Sequence, residues 1–258
     1  MQTEFQLDPR GGHNRYNCNF DFFKHWTDEM AYVLGFLYAD GAIVDAISSR
    51  TQYIQFNSVD KEILEKIGAV MRSGHPLHTR PSRIIAHRNG FYRSRESFIL
   101  RIGSRMMFRD LLRFGITPDK SKIVTFPVVP PRYLNHFIRG YFDGDGCAYL
   151  QKAKGITKPI IVKRLSVIFT SGSLTFLKKL GAIFKNQLTI YYKKIYDSNH
   201  AFQLRYYTDD AVKIFKFLYN SCPQKLYLQR KFDIFKNYFK LRPQKIDSGI
   251  ISILDNFS

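Results

Sequence analysis

Apolar residues recur at three- and four-residue steps from Met30 through Val33 and Leu34 to Leu37, the spacing of one helix face, and the run stops at Gly41. Thr27 or Asp28 can cap this helix, and Glu29 lies in its first turn, where the helix dipole favours an acid. The period then shortens to two. Residues 43–55 read as two strands around the polar tip Ser48-Ser49-Arg50-Thr51. Residues 59–71 are helical again, with Asp60 as cap and Ile63, Leu64, Ile67 and Val70 at helical spacing. Residues 84–88 and 97–102 form a basic hairpin, its tip carrying Arg93 and Arg95, and Ser104 caps a helix that runs to Phe114 and closes at Gly115. Residues 116–132 hold Pro118, Pro127, Pro130 and Pro131 and read as a linker. Residues 1–24 begin polar and turn aromatic at Phe20, Phe22 and Phe23, a tail that docks late.

After the linker the pattern starts again. Helix 135–144 is followed by a strand pair over 147–170, a helix over 173–186, a hairpin from 188–195 and 201–207, and helices over 209–220 and 226–239. Local matches support a duplication. Val33-Leu34-Gly35-Phe36-Leu37-Tyr38-Ala39-Asp40-Gly41 answers to Ile138-Arg139-Gly140-Tyr141-Phe142-Asp143-Gly144-Asp145-Gly146, with Asp145 lying 105 positions after Asp40. Phe56-Asn57-Ser58 matches Phe169-Thr170-Ser171 at an offset of 113, Phe98-x-Leu100-Arg101 matches Phe202-x-Leu204-Arg205 at 104, and Pro118-x-Lys120 matches Pro223-x-Lys225 at 105. Anchors in one order, with offsets that drift by loop lengths, predict an α+β chain of two pseudo-symmetric αββαββα repeats, over 25–115 and 133–240, with a tail over 241–258.

Composition narrows the partner. Lys+Arg number 40 against 21 Asp+Glu, a net charge of +19, which points to a polyanion, nucleic acid before anionic membrane. No apolar run reaches the roughly 18 residues of a spanning helix, and the N-terminus lacks a signal peptide's apolar core. Three scattered cysteines (Cys18, Cys147, Cys222) suggest a reducing compartment. His75-x-x-His78 has metal-like spacing but Pro76 between and no third ligand nearby.

The repeated stretch carries the chemistry. Gly35/Ala39 and Gly140/Gly144 are small residues four apart, on one helix face, which lets two backbones approach closely. The two helices are therefore expected to cross at the pseudo-two-fold axis, with Asp40 and Asp145 at the bottom of that contact. An aspartate at a helix C-terminus is disfavoured by roughly 0.3–1 kcal/mol, and two together repel; a bound cation removes both penalties. Carboxylates with free carbonyls nearby suit Mg²⁺. A lone Asp-Gly after a helix is usually only a C-cap turn, but here it recurs at the same place in a duplicated, basic chain. Asp143-Gly144-Asp145-Gly146 also brushes against a calcium loop, which fails at Cys147 and Lys154.

Strand alternation supplies a second surface. Tyr53 and Gln55, Arg101, Arg164, Ser166 and Ile168, and Gln203 and Arg205 oppose the apolar faces of their strands and offer groups able to read base edges. Arg50, Arg80, Arg83, Arg88, Arg93 and Arg95 crowd the turns of the first half and could grip phosphates.

The motif pair, the repeat, the charge and the length resemble those of the LAGLIDADG homing endonucleases with two motifs in one chain, over about residues 27–240. The resemblance implies saddle-shaped antiparallel sheets packed through the two motif helices, in a monomer encoded within an intron or a similar mobile element. It implies double-strand DNA cutting that leaves 3′ overhangs at a long asymmetric site, with two or three Mg²⁺ ions for which Ca²⁺ or Mn²⁺ can stand. By that resemblance Asp40 and Asp145 bind metal with the carbonyls of Ala39 and Gly144. Lys120 and Lys225 are then the matches for pocket lysines, with Lys231 as competitor, and Asn57 or Ser58 and Thr170 or Ser171 enter the same pocket. Tyr38 stands where the first motif often has an acid, and Asp143 occupies the matching place in the second, a position that caps or faces the core. Some family members bind intron RNA as maturases, and a non-cutting DNA-binding regulator on the same fold is the third reading. The host compartment would be a mitochondrion, a chloroplast or the bacterial cytoplasm.

Overall fold

The computed structural model describes residues 16–46, 51–87, 90–118, 123–153, 161–198, 201–222 and 225–256. Arg50, Arg88 and Lys120 lie outside these residues. Helices α1 (Asp28–Asp40) and α2 (Lys61–Val70) are followed by α3 (Arg105–Arg113), α4 (Leu134–Asp145), α5 (Leu174–Leu188), α6 (Thr208–Tyr219), α7 (Gln229–Leu241) and α8 (Ser248–Asn256). Two four-stranded antiparallel sheets share one plan. The first runs β1 (Gly41–Ala46), β2 (Thr51–Ser58), β6 (Ser97–Gly103), β3 (Leu77–Arg80); the second runs β7 (Gly146–Ala153), β8 (Ile161–Ser171), β10 (Phe202–Tyr207), β9 (Ile195–Asp197).

The duplication is visible in the registers. Gly41, the residue after the first motif, pairs with Phe56, and Gly146 pairs with Phe169. Phe56 then pairs with Leu100, as Phe169 does with Leu204. These are the residues matched along the sequence at offsets of 105, 113 and 104. The second strand pair is the longer one and has a bulge between Gln151 and Lys152. Even the turns into the next helix correspond: Ser58 Oγ accepts from Asp60 N at 3.0 Å, and Ser171 Oγ accepts from Ser173 N at 3.1 Å.

Three expectations change. The strand expected over 188–195 forms only at Ile195–Asp197, and Leu188 ends α5. Strand 84–88 does not pair with 97–102. Residues Ile84–His87 (β4) pair with Gly90–Arg93 (β5) as a separate two-stranded ribbon, and β6 takes β3 as its partner, Leu100 against Leu77. The alternation in 84–93 was thus a short hairpin inserted between two sheet strands. Asp60 makes no side-chain cap on α2; its amide is already engaged by Ser58. Ser104 and Ser173 do cap α3 and α5, accepting from Met107 N at 3.2 Å and Phe176 N at 3.3 Å.

The chain forms two compact units that do not coincide with the repeats. Of the described residues, one unit holds those up to Trp26 and those from Asp40 to Pro118; the other holds Thr27–Ala39 and those from Ile123 onward. The first unit holds the first sheet, α2 and α3, with Phe22 and Phe23 buried and Trp26 edge-on to Phe114 at 5.4 Å. The second holds α1, the second sheet and α4–α8. Residues 241–258 carry α8, which buries Ile250 and Ile253, and Lys216–Asp247 (2.8 Å) and Lys245–Asp209 (2.7 Å) bridge this segment to α6. Exposed pairs of this kind contribute little each, so the two isoleucines do most of the holding.

Candidate active site and nucleic-acid interface

Thr27 starts α1 by accepting a hydrogen bond from Met30 N at 3.1 Å. From Met30 to Tyr38 every residue is buried. A helix apolar all round has no solvent face, and α4 is the reason on one side. A Cβ placed on Gly35 would lie 1.9 Å from the Phe137 carbonyl oxygen, and one on Gly140 2.0 Å from that of Tyr32. The glycines of each motif thus sit against the backbone of the other helix, reciprocally, as the small-residue spacing predicts. Side chains lock the same contact: Tyr38 meets Phe137 at 5.2 Å, and Tyr32 Oη donates to Asp143 Oδ2 at 2.8 Å.

Around α4 lies a buried polar network within this unit. Arg139, fully buried in the middle of the second motif, donates to the carbonyls of Leu226 (2.9 Å), Leu218 (2.8 Å) and Ser221 (2.9 Å), and Nη2 lies 3.1 Å from His136 Nδ1. An arginine is always a donor, so His136 Nδ1 is the acceptor and its proton sits on Nε2, facing Asp28 at 3.4 Å. Burial and Arg139 push the His136 pKa down to about 4. Asp143 accepts from Tyr32 and from Leu228 N at 2.9 Å. Burial pushes its carboxyl up, against the lowering pull of Lys231, Tyr32 and Arg139. Its Oδ1 is buried with no hydrogen-bond partner among the described residues.

The second motif's C-terminus is closed by a lysine. Lys231, on the first turn of α7 and 2 % exposed, directs Nζ to the carbonyl oxygens of Phe142 (2.6 Å), Asp143 (2.8 Å), Gly144 (3.2 Å) and Gly146 (2.5 Å). Three of these belong to the last turn of α4, where carbonyls run out of intrahelical amide donors; that of Phe142 also accepts from Gly146 N. Lys225 is exposed, in a left-handed turn before α7 (φ 53°). Of Lys225 and Lys231, it is Lys231 whose ammonium reaches the motif helix.

Asp40 and Asp145 are the last residues of α1 and α4, and both are half-buried, as are Ala39 and Gly144. Metal donors at the end of α4 would be oxygen only. Asp145 ends the helix whose last carbonyls face the Lys231 ammonium, and the Gly144 carbonyl is the longest of the lysine's contacts. Among the described residues no group of three or more His, Cys, Asp or Glu converges. That donor set fits Mg²⁺, which binds through one or two carboxylates, keeps several waters and takes phosphate oxygens from its substrate. It does not fit zinc. His75 accepts or donates at Nδ1 with Ser73 Oγ (2.9 Å) and lies 5.2 Å from the Tyr16 ring.

The polar sheet faces carry a recurring cluster in which an arginine bonds a glutamine and covers a tyrosine. In the first sheet Arg101 donates to Gln55 Oε1 at 2.9 Å and lies 4.6 Å over Tyr53. In the second sheet Arg205 donates to Gln203 Oε1 at 2.7 Å and lies 4.8 Å over Tyr196, and Arg164 donates to Gln151 Oε1 at 2.5 Å and lies 3.9 Å over Tyr207. Arg80, Arg83, Arg93 and Arg95 are exposed, and Ile168 is half-buried. Ser166 departs from expectation. It is fully buried between its strand partners Tyr149 and Tyr207, with Oγ unpartnered among the described residues, so it presents nothing at the surface. Ser58 and Ser171 are committed to the helix-entry turns described above, while Asn57 Oδ1 accepts from Gln55 Nε2 at 3.1 Å and the Thr170 carbonyl accepts from Tyr141 Oη at 2.6 Å.

Sequence reasoning passed over Arg139, Tyr32, Gln151, Tyr196 and Tyr207. Arg139 had a signal: a charged residue in the middle of an otherwise apolar motif helix must find several acceptors. The tyrosines had none, because their partners come from other elements, helix α4 for Tyr32 and neighbouring strands for Tyr196 and Tyr207.

Residues 132–217 match the profile of the LAGLIDADG-like domain. No curated protein sequence matches the chain. Three solved structures are similar over most of it. LAGLIDADG meganuclease I-CpaMI bound to uncleaved DNA aligns with a TM-score of 0.51 at 12 % identity, over 90 % of this chain and 98 % of its own. I-AabMI bound to uncleaved DNA gives 0.50 at 12 %, over 87 % and 96 %. The homing endonuclease I-WcaI bound to its DNA recognition sequence gives 0.51 at 16 %, over 83 % and 90 %. Residues 132–217 thus form a LAGLIDADG-like domain, and the chain as a whole has the fold of the LAGLIDADG homing endonucleases.

Proposed function

We propose that this protein is a site-specific, metal-dependent DNA endonuclease of the homing type. The observation that carries the reading is the repeated motif helix. Two buried helices press glycine against backbone, and each ends in a half-buried aspartate, Asp40 or Asp145. The dipole disfavours an acid at a helix end, yet both helices carry one at the same place. A net charge of +19 and the arginine-bearing sheet faces supply the partner.

In this reading Asp40 and Asp145 each offer a carboxylate to divalent metal, which when bound supplies an activated water and stabilises the leaving 3′ oxygen. The glycine contact fixes α1 against α4. Lys231 and Asp143 tie the end of α4 to α7. Arg101, Arg164 and Arg205, with their glutamines, face base edges, and Arg80, Arg83, Arg93 and Arg95 face phosphates. Because the two sheets carry different side chains, the target is long and asymmetric. The host is an intron or comparable mobile element in an organelle or a bacterium.

The test uses DNA made by rejoining the sequences that flank the protein's gene. Incubation with Mg²⁺ is expected to give a double-strand break with 3′ overhangs at the junction, abolished by EDTA. Binding at the junction without any cut in Mg²⁺ or Mn²⁺ would overturn the nuclease reading in favour of a DNA-binding regulator.

A further inference from the structure

We infer that Lys231 is a built-in cation of the second motif, a positioning residue whose ammonium holds the carbonyl end of α4 and so sets the aim of Asp145. Its effect on cutting rests on the nuclease reading above; its effect on α4 does not.

Four carbonyl oxygens within 2.5–3.2 Å of one atom is the surround of a bound cation. An ammonium has three hydrogens, so at least one is shared between two carbonyls. Burying it would be costly alone, and here several terms offset that: the partial negative charge of the helix end, the four carbonyl dipoles, and the Asp143 carboxylate. The same turn is fastened twice, since Leu228 N, at the start of α7, binds Asp143 Oδ2 at 2.9 Å while Lys231 binds the carbonyls of the residues around it. Gly144, the residue before Asp145, is held directly at 3.2 Å. Any drift of the ammonium therefore moves the peptide from which Asp145 extends.

Among the described residues the arrangement is seen in the second repeat. Helix α7 follows the second copy, whereas the corresponding stretch of the first copy is the proline-rich segment 116–132, whose described residues form no α-helix up to Pro130. Lys231 touches the end of α4, so losing it should disable the cut that depends on Asp145 more than the other.

Lys231→Ala removes the atoms of n-propylammonium, which makes chemical rescue a test of charge against volume. On a supercoiled plasmid bearing the target, the variant is expected to accumulate nicked product, with the second cut slowed by at least about tenfold relative to the first. Added n-propylammonium should raise the melting temperature of the DNA-free variant and restore the second cut, while 1-propanol, of equal length and neutral, does neither. Should the variant fail to fold, recovery of its circular dichroism with n-propylammonium and not with 1-propanol supports the inference. Equal rescue by both, or rescue by neither, overturns it, as does an unchanged ratio of nicked to linear product. If the unaltered protein cuts neither strand, the nuclease reading falls, and the melting comparison still decides the cation's role.

Discussion

A histidine walled in by an arginine stays neutral, and stability then depends on pH. His136 has a folded pKa near 4, against an ordinary value of 6.5, and faces Arg139, Asp28 and Glu29. Below 6.5 the unfolded chain takes up a proton that the folded chain refuses, so this group's contribution is intact above that value and lost as pH falls from 6.5 towards 4. The loss reaches about 3 kcal/mol at its limit. Urea denaturation at a series of pH values should show it, and His136→Gln should flatten the curve across that interval; an equal slope in the variant would assign the pH dependence elsewhere. This site shows how far single residues could be read from the sequence. Asp40, Asp145, Gly35 and Gly140 were legible because each belongs to a repeated local pattern. Lys231 was legible only as a competing pocket lysine and Arg139 only as a charge in need of acceptors, because their partners lie some 80 residues away in the chain and only the fold brings them together. Ser166 misled for a related reason: alternation gives the face of a strand, not what its neighbours lay over that face.

Among elements, the helix pair decides the rest. A methyl on Gly140 would fall 2.0 Å from the Tyr32 carbonyl oxygen, which is main chain and cannot swing aside. Gly140→Ala should therefore destabilise the protein by about 1–3 kcal/mol, the range for overpacking, and Gly140→Leu should lose cleavage even with both aspartates present. A denaturant midpoint unchanged in Gly140→Ala, or full activity in Gly140→Leu, would contradict the packing. The strands were legible through duplication, since residues matched at offsets of 105, 113 and 104 occupy equivalent positions in the two sheets. The β4–β5 ribbon escaped because it has no counterpart in the second repeat: there β9 and β10 follow each other closely, with Ser198 and Ala201 bonded across the turn. Helix α8 escaped as well. Its two buried isoleucines give too short a pattern to distinguish a docked helix from a tail.

For the whole molecule, two compact units share one duplicated plan, and Thr27–Ala39 joins the second of them rather than the repeat it begins. Duplication followed by divergence explains why the sheets keep the same strand order while their polar faces differ. In the proposed function DNA is bound through charge and sheet surface, and is cut through two acids that contribute little to binding. Replacing both acids by their amides keeps size, removes the negative charge and turns one acceptor oxygen into a donor. The most direct measurement is therefore on the Asp40→Asn, Asp145→Asn double variant, comparing plasmid cleavage in Mg²⁺ with retention of target DNA in a gel-shift titration. Binding within about threefold of the unaltered protein, with no cleavage detectable, is the expected result. Cleavage at an undiminished rate would remove the two motif aspartates from the chemistry and contradict the account.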